Sequence, residues 1–402
     1  MTADSRNIRR LAFALGTTQL VSWAVSFYMP AVIAEPAAAE LGMSRGALLA
    51  AFSWALIAAG CCAPHIGRWI GRHGGRAPLA AGAVAMALGL ALLAAAHGPL
   101  IWYAGWTIVG VGMALGLYDA VFATLGGILG KGAAPAITGV TLMGGFASSV
   151  GWPVGAYLTQ TIGWRGTLIV YAAAELAINL PIVLTMVPRP TVVPDLAARQ
   201  ATGTALGTGD PRRGMVACLM GFFTLRWFVT SALAVAILPL LGGMGLSPGE
   251  AVAASTLIGP GQVAGRLLEW SSGGRFGLIG RAALGASLAP IGIIALIWGS
   301  PVAGPATAAC LFAVLYGMSN GIMTINRGTL PLAIFGAEGY AALIGWLAVP
   351  VLLAQAAAPT LTAPFVTRIP SADVFGAAGV LATVALILLL PLRPRAATAA
   401  AE

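Results

Sequence analysis

Residues 78–96 read PLAAGAVAMALGLALLAAA, a run with no charged and no polar side chain. A helix of that length rises nearly as far as a bilayer's hydrocarbon core is thick, about 30 Å. Comparable stretches recur along the whole chain, and that recurrence limits the fold more than any motif does. Inside hydrocarbon every backbone N–H and C=O must be satisfied internally, which leaves helices or a closed barrel. Runs of about twenty residues select helices. Only 8% of the 402 residues are charged and 59% are hydrophobic, whereas a soluble domain carries about 25% charged residues. The sequence therefore predicts an all-α integral membrane protein.

Twelve spans are predicted: 11–34, 46–66, 78–96, 101–125, 136–159, 166–187, 214–241, 250–268, 281–298, 305–328, 338–362 and 371–392. The first follows Arg9 and Arg10 and is too long for the apolar part of a signal peptide, so it reads as a retained helix. The short interruptions carry turn residues, as in GKGAAP and GSPVAGP. Twelve crossings put both termini on one side. Fifteen Lys and Arg residues fall on that side and three, Arg45, Arg165 and Arg368, fall opposite. The positive-inside rule makes the first side cytoplasmic. The expectation is a multi-pass protein of the inner (cytoplasmic) membrane with both termini inside. The net charge of +9 is then a matter of topology, and a nucleic-acid partner is not implied. Cys61, Cys62, Cys218 and Cys310 all fall within spans, as buried small hydrophobes with no disulfide or metal spacing.

The chain repeats itself. ELGMSRGALLA (40–50) matches GMGLSPGEAVA (243–253), with Ser44 and Ser247 as helix N-caps and a capping box from Ser247 to Glu250. GRWIGRHGGR (67–76) matches GRLLEWSSGGR (265–275), and Gly112-x-x-x-Gly116 matches Gly317-x-x-x-Gly321. These anchors keep one order in both halves. The predicted domains are a six-helix bundle at 1–187, a Pro-, Gly- and Thr-rich linker at 188–213, and a second six-helix bundle at 214–402. The two glycine spacings read as helix-packing seams, since no basic residue follows them as a phosphate loop requires.

Two six-helix halves, a polar linker and a Gly/Arg-rich loop after the second helix of each half resemble the major facilitator superfamily. The family's loop pattern is G-x-x-x-D-R-x-G-R-R. Here Gly67, Arg72, Gly74 and Arg76 match it, while Gly71 stands at the acidic position. The second copy begins Gly265-Arg266 and restores the acid as Glu269, without the central Arg. The resemblance implies that this acid helps to latch one conformation, so the gating loop is assigned to Gly67, Arg72, Gly74, Arg76, Arg266 and Glu269. Two motifs of the family's drug/proton antiporters are weak: Trp106 stands where an Arg is expected, and the fifth-helix motif survives loosely as Gly151-Trp152-Pro153-Val154-Gly155.

The resemblance also implies a central cavity lined by the first, fourth, seventh and tenth helices, with the substrate near the midplane. The residues most out of place in this sequence lie in those helices. Gln19, Ser22, Trp23, Ser26 and Tyr28 interrupt the first, with Gln19, Ser22 or Trp23, and Ser26 on one face. Tyr118 and Asp119 lie in the fourth, Arg226 and Trp227 in the seventh, and Asn320, Thr324, Asn326 and Arg327 in the tenth. Ser22 and Ser26 read as structural. Charges in hydrocarbon demand an explanation, because each costs several kcal/mol, about 2.5–3.5 by insertion scales. Asp119 and Glu175, mid-span in the sixth helix, formally balance Arg226 and Arg327, so an empty protein could satisfy these charges by pairing them.

The predicted substrate site is Arg226, Arg327, Asp119, Gln19, Trp23, Tyr28, Tyr118, Asn320 and Trp227, with Asp119 and Glu175 as proton-coupling candidates. Arginine stays charged and grips carboxylates in a bidentate fork, so the expected substrate is a small organic anion, carried with protons or by exchange. This is closer to the family's organic-anion branches than to its sugar branches, whose cavities are rich in Asn and Gln. The alternative is proton-driven efflux of an amphipathic cation meeting Asp119. His65, His73 and His97 form no catalytic or metal arrangement, and no ATP-binding motif is present. An enzyme is not expected, nor a cofactor or metal, and the protein is expected to act as a monomer.

Overall fold

The computed structural model describes residues 5–189, 212–271 and 277–392. These residues are helical and short turns join them, with no strand among the described residues. The chain forms two compact units. The first contains α1 (Ser5–Val25), α2 (Pro30–Leu41), α3 (Arg45–His73), α4 (Arg76–Ala94), α5 (Pro99–Gly116), α6 (Tyr118–Leu129), α7 (Ala133–Gly144), α8 (Ala147–Ala174), a π-helical turn (Glu175–Asn179) and α9 (Leu180–Met186). The second contains α10 (Arg212–Gly243), α11 (Pro248–Thr256), α12 (Ile258–Ser271), α13 (Leu278–Ala303), α14 (Pro305–Phe335) and α16 (Ser371–Ile387). Between α14 and α16 runs α15 (Tyr340–Arg368), whose residues Ala341–Ala357 belong to the first unit. There it meets α3 closely: a methyl group on Gly67 would collide with the Ala341 carbonyl, and one on Gly345 with the Ala63 carbonyl.

Local chemistry sets the helix ends as expected. Ser44 Oγ accepts from Ala47 N at 3.2 Å at the start of α3. Ser247 and Glu250 form the reciprocal capping box at the start of α11, with Ser247 N donating to Glu250 Oε2 at 2.8 Å. Gly163, at φ 73° and ψ 169°, breaks the helix inside α8 and so separates the fifth predicted span from the sixth. Gly304, at φ 85°, separates α13 from α14. Both glycines occupy the left-handed region that side chains disfavour.

Several predicted spans need correction. The first is interrupted at Ser26–Met29, the fourth at Leu117, the fifth at Gly145–Phe146 and the eighth at Leu257. Hydropathy does not register such breaks, because the residues flanking them remain apolar. The tenth span was drawn to end at 328, yet α14 continues to Phe335, so Arg327 lies two turns inside the helix. Of the predicted linker 188–213, residues 190–211 lie outside the described residues. All four cysteines are free, and Cys61 is exposed where a buried one was expected.

Each unit has its own core. Ile33, Leu90, Trp102, Trp106 and Leu168 centre the first, and Leu240, Ala289, Phe312 and Phe375 the second. The outside is equally apolar: Leu88, Trp298, Val302 and Leu390 are all more than half exposed. A surface of that kind suits lipid, not water. Of the four spaced glycines, Gly112, Gly317 and Gly321 lie in packing seams, Gly317 and Gly321 against the Ile258 and Gln262 carbonyls of α12, whereas a methyl group on Gly116 would meet nothing. Gly112 abuts the Met86 amide of α4, and Gly261 and Gly265 of α12 abut the backbone of Val314 and Met318 in α14.

Candidate functional site

The deepest charge in the second unit is Arg226, midway along α10 and 1% exposed. Its Nη1 donates to Thr230 Oγ1 at 2.8 Å, one turn along the same helix. Its Nη2 donates to Ser319 Oγ at 3.1 Å and to Asn320 Oδ1 at 2.5 Å on α14. The guanidinium carbon lies 5.6 Å from the Tyr316 ring centroid. Ser319 Oγ in turn donates to Gly285 O of α13 at 2.6 Å, so the arginine is anchored to three helices. Every one of these partners is neutral, and Nε is buried with no hydrogen-bond partner among the described residues. The expected pairing with a carboxylate is not what holds it. What remains is a desolvated positive charge whose Nε–H is unused, an arrangement suited to receiving an anion. Thr230, Tyr316 and Ser319 were missing from the predicted site. Thr230 follows Arg226 by four residues and Tyr316 precedes Asn320 by four, so helical spacing was the signal that marked them.

Arg327 sits beside this cluster in sequence order, half-buried on α14, with its guanidinium carbon 5.1 Å from the Trp227 ring of α10. The structure thus joins Arg226 to Asn320 and Arg327 to Trp227 within one unit. Asn326, next to Arg327, is fully buried and its amide has no partner among the described residues.

In the first unit the break at Leu117 explains two predicted residues at once. It frees the last carbonyls of α5, and Gln19 Nε2 of α1 donates to Gly116 O at 2.8 Å. It also makes Tyr118 and Asp119 the opening turn of α6. A carboxylate there faces the positive end of the helix dipole. The oily segment tolerates Asp119 because the helix begins there. Tyr118 stacks on Phe122 with centroids 5.3 Å apart, and Trp23 lies 5.0 Å from Tyr118 and 6.4 Å from Tyr28. Trp23 Nε1 and Gln19 Oε1 are buried with no hydrogen-bond partner among the described residues. Gln19, Trp23, Tyr28, Tyr118 and Asp119 are therefore gathered where α1 and the fourth span are both interrupted.

Glu175 is separate from that group. It is 1% exposed and opens the π-helical turn. Ser22 Oγ donates to its Oε1 at 2.9 Å, and Asn179 Nδ2 donates to its Oε2 at 2.8 Å. Like Arg226, it is held by neutral groups of its own unit.

Around the gating loop, Arg72 lies in the last turn of α3, Gly74 takes φ 74°, and Arg76 donates to Leu184 O of α9. In the second copy Glu269 forms an ion pair with Arg281 of α13 at 3.2 Å. Arg266 is 5% exposed, with Nε and Nη1 lacking partners among the described residues. Arg275 lies outside the described residues.

Comparison with known proteins places this geometry. The fold is similar to that of the human organic anion transporter MFSD10 (TETRAN), with TM-score 0.70 and 16% identity over 96% of this chain and 99% of that one. It is similar too to the proton:xylose symporter XylE bound to 6-bromo-6-deoxy-D-glucose, with TM-score 0.72 and 15% identity over 94% and 95%. Identities this low speak for the fold alone. No curated protein matches the sequence. The model of the Major Facilitator Superfamily matches residues 11–359. With most of its length so matched, and the fold in agreement, the chain belongs to the major facilitator superfamily and is a membrane transporter, not an enzyme.

Proposed function

We propose that this transporter carries a small organic anion, a carboxylate, by alternating access, with halves 1–187 and 214–402. One observation carries the reading: Arg226 is a fully buried guanidinium whose partners are all neutral. An uncompensated buried charge costs several kcal/mol, and an arriving carboxylate removes that cost. Arg327 over Trp227 offers a second cationic group with an apolar wall. That the similar MFSD10 is an organic anion transporter supports the same reading. Asp119 acts as the negative group that yields when the anion binds. The protein works as a monomer in the inner membrane with both termini cytoplasmic, as the distribution of Lys and Arg suggests.

A thermal-shift screen of the purified protein tests the substrate class. Carboxylates at about 100 times their Kd stabilise wild type by roughly 2.7 kcal/mol. Arg226→Gln loses that response. A second reading, efflux of a lipophilic cation, has one observation in its favour: Tyr118, which Asp119 follows in the chain, packs with Trp23, and Trp23 with Tyr28, and rings of this kind bind cations. Stabilisation by lipophilic cations, lost in Asp119→Asn and kept in Arg226→Gln, selects it over the first.

A further inference from the structure

We propose that Glu175 is a proton-binding site: its carboxyl carries a proton in this conformation and exchanges it as α1 moves against the π-helical turn. The proposal goes beyond the substrate reading, since it holds whether the cargo is an anion or a cation.

The first argument is the company the carboxyl keeps. It lies in mid-span, 1% exposed, and among the described residues its two oxygens meet only the Ser22 hydroxyl and the Asn179 amide. Four elements pack on the π-helical turn: α1, α4, α8 and α9. After Arg10, α1 has no titratable side chain, and α4 has none after Arg76. There is none in α9 either. On α8 the nearest is Tyr171, one turn earlier, whose hydroxyl is buried with no hydrogen-bond partner among the described residues. No cation is at hand to compensate a charge on Glu175. A buried carboxylate without a counter-charge is costly enough that the group takes up a proton instead.

The second argument is that the nest accommodates both forms of the acid. Asn179 Nδ2 donates to Glu175 Oε2 at 2.8 Å and to Ser22 Oγ at 2.9 Å. Its Oδ1 is buried with no hydrogen-bond partner among the described residues. Rotating the amide by half a turn about its Cβ–Cγ bond exchanges the two atoms. Oδ1 then stands at hydrogen-bond distance from Oε2, ready to accept the carboxyl O–H. One orientation donates to the carboxylate and the other accepts from the acid. Binding is a single step: a proton adds to Oε2, the amide rotates, and the charge on the group goes from −1 to zero.

The third argument is mechanical. The turn Glu175–Asn179 is π-helical, a rare and costly local geometry found mainly at functional sites. Opposite it, Ser22 lies one turn before the interruption of α1, and Ser26 Oγ at that interruption donates to Ser22 O at 2.5 Å. Two soft points face one another across the carboxyl. Relative displacement of either opens the Ser22–Glu175 contact and exposes the acid to water.

Infrared difference spectroscopy on the full-length protein in nanodiscs, titrated from about pH 5 to about pH 10, tests this without a known substrate. Wild type is expected to show the carbonyl band of a protonated carboxyl at neutral pH, fading as the pH rises. Asp119→Asn keeps that band and Glu175→Gln loses it. Ser22→Ala, which removes one hydrogen bond, shifts its frequency, and this variant decides the matter if Glu175→Gln does not fold. A wild-type spectrum without the band at neutral pH overturns the proposal, as does a band indifferent to both Glu175→Gln and Ser22→Ala. A band that never titrates overturns it too, because a permanently neutral carboxyl is structural. None of these results bears on the anion reading, which rests on Arg226.

Discussion

At the scale of single residues, burial and partners separate side chains that look alike in the sequence. Arg226 and Gln19 are both polar intruders in apolar helices, but one holds an unused charge and the other mends a broken helix. Substituting Arg226 by Met removes the desolvated charge while leaving its partners other bonds: Ser319 still donates to Gly285 O, and Thr230 still donates to Asn320 Oδ1 at 3.3 Å. Arg226→Met is expected to unfold at the same or a higher temperature, by up to about 1–4 kcal/mol in stability, and to lose all stabilisation by carboxylates. Gln19→Ala leaves the Gly116 carbonyl without its donor and is expected to cost about 1–3 kcal/mol, read by thermal unfolding in detergent. The residues that carry charge were legible from the sequence because a charge in an apolar run is visible by itself. Thr230 and Ser319 were less so, since Ser and Thr in a membrane helix usually bond their own backbone, and only their helical spacing from Arg226 and Asn320 marked Thr230 and Tyr316.

Among elements, the contrast is between interrupted and continuous helices. The first, fourth and fifth spans are broken and the sixth carries a π-helical turn, whereas α10, α14 and α15 run unbroken through about 30 residues each. Discontinuous helices are where transporters place binding groups, because freed backbone and helix ends become available. The seam between α12 and α14 has the opposite character, backbone against backbone. A methyl on Gly265 would lie 2.7 Å from Met318 Cα, whereas one on Gly259 meets open space. Gly265→Ala is therefore expected to lose about 1–3 kcal/mol by overpacking. Gly259→Ala gains helix propensity, on the order of 0.8–1 kcal/mol. Paired melting curves of the two variants check this. Gly112, Gly317 and Gly321 announced the seams in the sequence. The break at Leu257 is marked by Pro260, which can neither donate to nor pack against the Thr256 carbonyl in a continuous helix, whereas the break at Leu117 has only Gly116 before it as a signal.

For the whole molecule, orientation follows from charge counting and is open to a direct test. In a background with Cys61, Cys62, Cys218 and Cys310 replaced, single cysteines at Arg72 and Arg165 are expected to react with a membrane-impermeant maleimide from opposite sides, position 72 from the cytoplasm. Labelling of both from one side would remove the twelve-span topology. The all-α membrane class was determined by the sequence itself, and twelve spans in two repeated halves are what the sequence predicts. Hydrophobic length, turn residues and an internal repeat are properties of short segments, and the bilayer leaves a segment few alternatives. What the buried charges do was decided only by tertiary structure. Glu175 finds Ser22 across 153 residues of chain, and Arg226 finds Asn320 across 94. The sequence could count two acids against two arginines and expect them to pair. Folding instead gave Glu175 and Arg226 neutral partners, because in a close-packed interior the nearest hydrogen-bonding groups, not the formal charges, settle which contacts form.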